Sequence, residues 1–174
     1  MNATQVLTLI GAAFPLEPLP DMSLHQAHLA DDSMAREISD RDWQAAASLD
    51  AGRTWQDYSD EELLSCDKAL AHFDETSFVY YIPAFLALAV RHCDATLAAP
   101  VASLVGSVVF SVTHRTPYSL GRFKQFSSDQ RNVVVAFLEF ISAHGRQSDA
   151  GDARKALSRY WKTDEASKPL FVVP

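Results

Sequence analysis

From Ala95 to Thr113 the chain carries no charged side chain. A run of that length has two natural homes, a lipid bilayer or the interior of a protein. This one is rich in Ala and Ser, contains Pro100 and Gly106, and follows directly on His92 and Asp94. Mean hydropathy of the whole chain is only −0.06. The segment therefore reads as a central buried helix, Asp94 to Phe110, with no membrane span. Its β-branched end, Val108 to Val112, leaves a short strand as the alternative.

Helical patterning continues on both sides. Thr4 to Phe14 is a first helix, stopped by Pro15, Pro18 and Pro20, which cannot extend it. A second helical region runs from about Ser33 to Leu49, with a break where Ser39-x-x-Asp42 resembles a cap, and Gly52 ends it. Ser59-Asp60-Glu61-Glu62 is a helix start, with Ser59 as cap and acids at the positive end of the dipole. Leu63, Leu70 and Phe73 give that helix one apolar face. Another helix spans Ser77 to about His92, and Pro83 predicts a kink or break inside it. His114 to Lys124, with Pro117 and Gly121, reads as the longest loop. Ser127-x-x-Gln130 opens a helix that ends near His144, with Gly145 as its cap. A last helix covers Ala150 to Trp161. With 6 Gly and 8 Pro in 174 residues, a turn-dense β sandwich is disfavoured. The expected fold is a single all-α domain of about seven helices over residues 1–174. Residues 1–22 form its N-terminal helix and Pro-rich connection, and residues 163–174 an extended tail.

Several chemistries are excluded. Two cysteines, Cys66 and Cys93, make neither a disulfide framework nor a C-x-x-C site. The first basic residue is Arg36, so the N-terminus lacks the basic region of a signal peptide, and a reduced cytoplasmic chain is expected. No P-loop, G-x-S-x-G, H-E-x-x-H or dinucleotide fingerprint is present. His25-x-x-His28-x-x-Asp31 is a loose metal-ligand spacing without a fourth ligand, and a polar surface helix is the better reading. Cys66 or Cys93 with His72 or His92 is a conceivable nucleophile pair. Buried thiols acting as small hydrophobes are favoured instead, since adjacent His92 and Cys93 point to different sides of a helix. No catalytic residue, metal or cofactor is expected.

Charge is unevenly laid out. The net charge is −7, which disfavours general nucleic-acid binding. Residues 1–75 hold 15 acids against 4 bases, whereas residues 76–174 hold 7 against 11. Asp57, Asp60, Glu61, Glu62, Asp74 and Glu75 form the densest acidic group and a candidate face for a basic protein partner. Trp55 and Tyr58 beside it are candidate aromatic anchors. The competing explanation is local: acids stabilising a helix start, and two halves attracting each other within the fold. The basic group Arg115, Arg122, Lys124 and Arg131 has Tyr118, Phe123 and Phe126 interleaved. It reads as a solvated loop whose aromatics enter the core, in preference to a nucleic-acid or phosphate site.

Trp55-x-Asp57-Tyr58 followed by Ser77-Phe78-Val79-Tyr80-Tyr81-Ile82-Pro83-Ala84-Phe85-Leu86 resembles the central signature of a family of small uncharacterised bacterial proteins. Phe126-Ser127-Ser128-Asp129-Gln130-Arg131 with Val135-Ala136-Phe137-Leu138, and Asp152-Ala153-Arg154-Lys155-Ala156-Leu157 with Tyr160-Trp161, agree in order. The resemblance covers roughly residues 5 to 162. It implies bacterial origin and a helical fold, and it implies no mechanism. The functional expectation is a small acidic protein-interaction protein, with an immunity or inhibitor protein covering a basic partner as the concrete case. The alternative is an enzyme or small-ligand binder with a pocket near Tyr80, Tyr81, His92 and His114.

Overall fold

Local start signals set most of the helix boundaries. The computed structural model describes residues 1–93 and 99–163. In chain order the helices are α1 (Ala3–Ala13), α2 (Leu24–Leu29), α3 (Asp40–Leu49), α4 (Asp60–Ser65), α5 (Ala69–His72), α6 (Glu75–His92), α7 (Ala99–Thr113), α8 (Pro117–Gln125), α9 (Ser128–His144) and α10 (Gln147–Ala156). Short 3₁₀ turns cover Ala30–Met34 and Trp55–Asp57, and α10 passes into a π turn, Leu157–Trp161. Among the described residues there is no strand, so the Val108–Val112 alternative gives way to helix. Asn2, Ser23, Ser39, Ser59, Thr116 and Ser127 each cap a helix by accepting the backbone N–H three residues on.

α6 is the centre. Its fully buried Phe78, Ile82, Phe85, Leu86 and Leu88 sit among α1, α7, α8 and α9. The helix runs through Pro83 as one element, so the expected break does not occur. Burial of the flanking turns on every side holds it together where the missing N–H would weaken an exposed helix. Trp161 closes the far side of the core, and its indole N–H donates to the Val112 carbonyl at 2.8 Å. Among the described residues, no helix is long and apolar enough to cross a membrane.

The all-α expectation holds, with more helices than seven. The segment 59–73 is two short helices, because the backbone leaves helical geometry at Cys66. The segment 24–29 is a helix of its own, separated from α3 by a turn and by the Ser39 cap. Gly52, at φ 72°, turns the chain after α3 in a conformation that side chains resist. The expected loop at His114 to Lys124 is in fact α8. Thr116 and Ser119 form a capping box, and Pro117 occupies the first turn, where its fixed φ suits a helix and its missing N–H costs nothing. Replacing Thr116 by Ala removes that cap, and urea denaturation should show a loss of about 1 kcal/mol. The expected tail at 163–174 and the start of the central helix at Asp94 to Ala98 lie outside the described residues, apart from Thr163.

α7 also departs from the expectation of burial on all sides. Leu104, Val105, Val108, Val109 and Val112 face the core. Ser103, Ser107, Phe110 and the following His114 are exposed. The helix is amphipathic without a charge, because serine supplies its outer face.

Candidate functional site

The six acids do not make one surface. Asp57 Oδ2 accepts the Thr54 N–H at 2.7 Å and the Thr54 hydroxyl at 2.8 Å, which caps the 3₁₀ turn and holds its carboxyl below the usual range. Glu62 accepts the Ser59 N–H at 2.8 Å and pairs with Arg53 at 2.8 Å. Asp60 pairs with Arg91 and, at 2.7 Å, with His92, at the C-terminal end of α6. Asp74 caps the other end of the same helix, accepting the Ser77 N–H at 2.7 Å. Glu75 accepts from Gln125 there at 3.0 Å. The 18 residues of α6 put about 27 Å between those two ends. Five of the six carboxylates are thus tied into caps and pairs, and Glu61, exposed like Asp57, Asp74 and Glu75, has none of these roles among the described residues.

The two candidate anchors are interior. Trp55 is 5% exposed, and its indole N–H donates to the Pro15 carbonyl at 3.2 Å. Tyr58 is 7% exposed, and its hydroxyl donates to Asp50 at 2.9 Å. Both side chains went inward because each ring has an internal acceptor for its polar end.

The alternative pocket is dispersed as well. The Tyr80 hydroxyl donates to the Leu16 carbonyl at 2.8 Å. Tyr81 stacks on Phe73, ring centres 5.2 Å apart, and burial pushes its hydroxyl up to about 12. His92 is engaged with Asp60. Only His114 reaches a cavity.

The metal spacing is taken up by structure. His25 Nδ1 lies 2.7 Å from Asp50 Oδ1, while Asp50 Oδ2 accepts the His25 backbone N–H at 2.8 Å. Asp31 holds Lys68 at 2.6 Å and His72 at 3.1 Å. Among the described residues no three His, Cys, Asp or Glu side chains are grouped to hold a metal. Cys66 and Cys93 stand outside any disulfide and are 1% and 4% exposed. Cys66 lies beside His25, so Cys66, His25 and Asp50 come together although the chain separates them. The thiol is sealed from solvent, and the trio serves as a buried clamp between α2, the end of α3 and the end of α4. Nothing in the local spacing signals it.

The basic group also divides. Phe123 and Phe126 are core residues, as expected. Arg122 is 4% exposed and donates to the backbone carbonyls of Leu70, Ala71 and Phe73. Arg131 donates to the Phe126 carbonyl at 3.1 Å. Tyr118 alone of the interleaved aromatics is exposed, at 51%.

What the fold does present to solvent is the outer face of α7 and α8. Among the described residues Phe110 and Tyr118 are the only exposed Phe, Tyr or Trp side chains, and both stand here. Phe110 is 59% exposed and stacks on His114, ring centres 4.5 Å apart and planes 16° apart. This pair forms a ridge between two open grooves. The first, about 730 Å³, has Ser103 and Ser107 of α7 on one side and Ala71 and Tyr118 on the other. The second, about 690 Å³, lies between Pro117 and Leu120 of α8 and Lys155 of α10 with Arg159 of the π turn that follows it. Sequence patterning hides this site, since Phe110 ends a run of apolar residues that otherwise face inward.

A family model, described as a family of unknown function (DUF6714), matches residues 2–165. No curated protein and no solved structure matches the chain.

Proposed function

The chain belongs to this family of unknown function, and we propose that it acts by binding another protein through the outer face of α7 and α8. The carrying observation is the convergence of the two exposed aromatics on one pair of grooves. Aromatic side chains dominate interface energies, and exposing them is costly unless something covers them. An immunity or inhibitor protein of a bacterial cytoplasm is the concrete case. Such a protein needs no catalytic constellation, and a small helical domain can occlude a partner's working surface.

The expected acidic face supports this reading poorly. Apart from Glu61, its carboxylates are occupied in local caps and pairs, so binding is assigned to the aromatic ridge.

The test is a binding comparison. The tagged full chain is used to isolate a partner from the native host, and its affinity is measured with purified components. Phe110→Asp should weaken that affinity by about 30-fold or more, since truncating a central aromatic anchor costs ~2 kcal/mol or more. Its thermal midpoint should stay near that of the parent, because Phe110 is mostly in solvent. Glu61→Lys should bind as the parent does. Equal affinity of the Phe110→Asp variant would sink the proposal.

A further inference from the structure

We infer that the second groove takes an acidic peptide segment of the partner. This rests on the docking reading above and adds the charge of what docks. Among the described residues that line the groove, Lys155 and Arg159 stand beside one carboxylate, that of Asp152. That excess of positive charge stands on a chain of net charge −7. An acidic segment is repelled by the acidic residues of the 1–75 half and attracted here, which gives both orientation and selectivity.

Lys155 and Arg159 are placed to be used. Asp152, Lys155 and Arg159 recur at helical spacing and are all exposed. The Lys155–Asp152 pair is 3.4 Å long between side chains that are 65% and 59% exposed, so it is weak and yields to a competing carboxylate. The Arg115 guanidinium lies 5.3 Å over the Tyr160 ring and donates to the Arg159 carbonyl at 3.3 Å, which fixes its direction. In the first groove the cations are held by partners. Lys68 is held by Asp31, Arg146 by Asp149 at 2.9 Å, and Arg122 by backbone carbonyls. Phe110, Pro117 and Leu120 give the second groove its apolar part. The occupant is therefore a segment with carboxylates around an apolar residue.

A random peptide library displayed on phage, selected on the full chain, tests this without knowing the partner. Enriched sequences should carry several Asp or Glu beside an aliphatic or aromatic residue. A synthetic copy of one should bind about tenfold or more weakly to the Lys155→Glu/Arg159→Glu variant, with circular dichroism confirming that the variant is folded. Its affinity should also fall as salt rises from about 50 to about 300 mM. Enriched peptides that are neutral or basic, or that ignore the double variant while still losing affinity to Phe110→Asp, overturn this inference and leave the docking reading standing. No enrichment, or enriched peptides indifferent to Phe110→Asp, overturns the docking reading itself. A dimer in sedimentation that excludes the peptide makes a second copy the occupant and overturns the inference.

Discussion

Arg122→Ala should lower the unfolding free energy by roughly 3–5 kcal/mol, the cost of stripping a buried charged brace from the groups it serves. The guanidinium reaches from α8 to the end of α5, where a helix four residues long leaves its carbonyls without partners. It donates to Leu70 at 3.0 Å, to Ala71 at 3.3 Å and to Phe73. Its face covers Phe78 and Tyr118, at 4.6 and 4.1 Å from the ring centres. Burial works against its charge and lowers its pKa, so the carbonyl dipoles and the two rings are what keep it inside. Alanine leaves the Leu70 carbonyl without its buried donor, and the Ala71 and Phe73 carbonyls with the Tyr118 hydroxyl in place of the fork. Lysine keeps the charge but cannot fork between acceptors that lie apart, so Arg122→Lys should recover less than half of the loss. Urea midpoints at constant m-value measure both. A loss under about 1 kcal/mol for Arg122→Ala would mean that water replaces the brace. The same brace supports one wall of the first groove, so stability and docking are linked there through α8.

How far the sequence carries depends on the range of each interaction. Ser59 with Glu62 and Ser127 with Gln130 are legible because a capping box closes within four residues. Thr116-Pro117 obeys the same rule, yet Pro117 and Gly121 together read as loop. The starting role of Pro in a first turn competes with its breaking role elsewhere. The acids at Asp60 to Glu62 were legible as helix-start residues, and that local role is the one the structure gives Glu62. Arg122 and Phe73 lie far apart in the chain, and so do His25 and Asp50. No periodicity marks those pairs, because tertiary geometry alone creates them. The uncharged run from Ala95 to Thr113 hides the docking face for a different reason. Serine is neutral to hydropathy and content in water, so an exposed Ser103–Ser107–Phe110 stripe looks apolar when only charge is counted.

The second large effect concerns pH. The His25 pKa is raised from 6.5 to about 10, chiefly by its hydrogen bond to Asp50, with Cys66 adding to it and burial opposing. Burial also opposes the charge on Asp50, and the His25 ring, the His25 N–H and the Tyr58 hydroxyl together outweigh it and hold its carboxyl below the ordinary range. The folded chain therefore binds the His25 proton more tightly than the unfolded chain does. That contribution is whole below about pH 6.5, falls as pH rises from there, and is lost once pH passes about 10. His25→Gln leaves a carboxylate that is 5% exposed without its counter-charge, and near pH 6 the loss should be roughly 3 kcal/mol. The gap between parent and variant should then narrow steadily toward pH 10, because the parent gives up the same interaction by deprotonation. Asp50→Asn should also narrow the gap to His25→Gln near pH 6, since it removes the buried charge itself. Denaturant unfolding of all three across that range measures the clamp. A constant gap, or a His25 ring proton resonance that titrates near 6.5, would show that Asp50 does not hold the imidazole charged above that pH and that hydrogen bonding without charge joins α2 to α3 there.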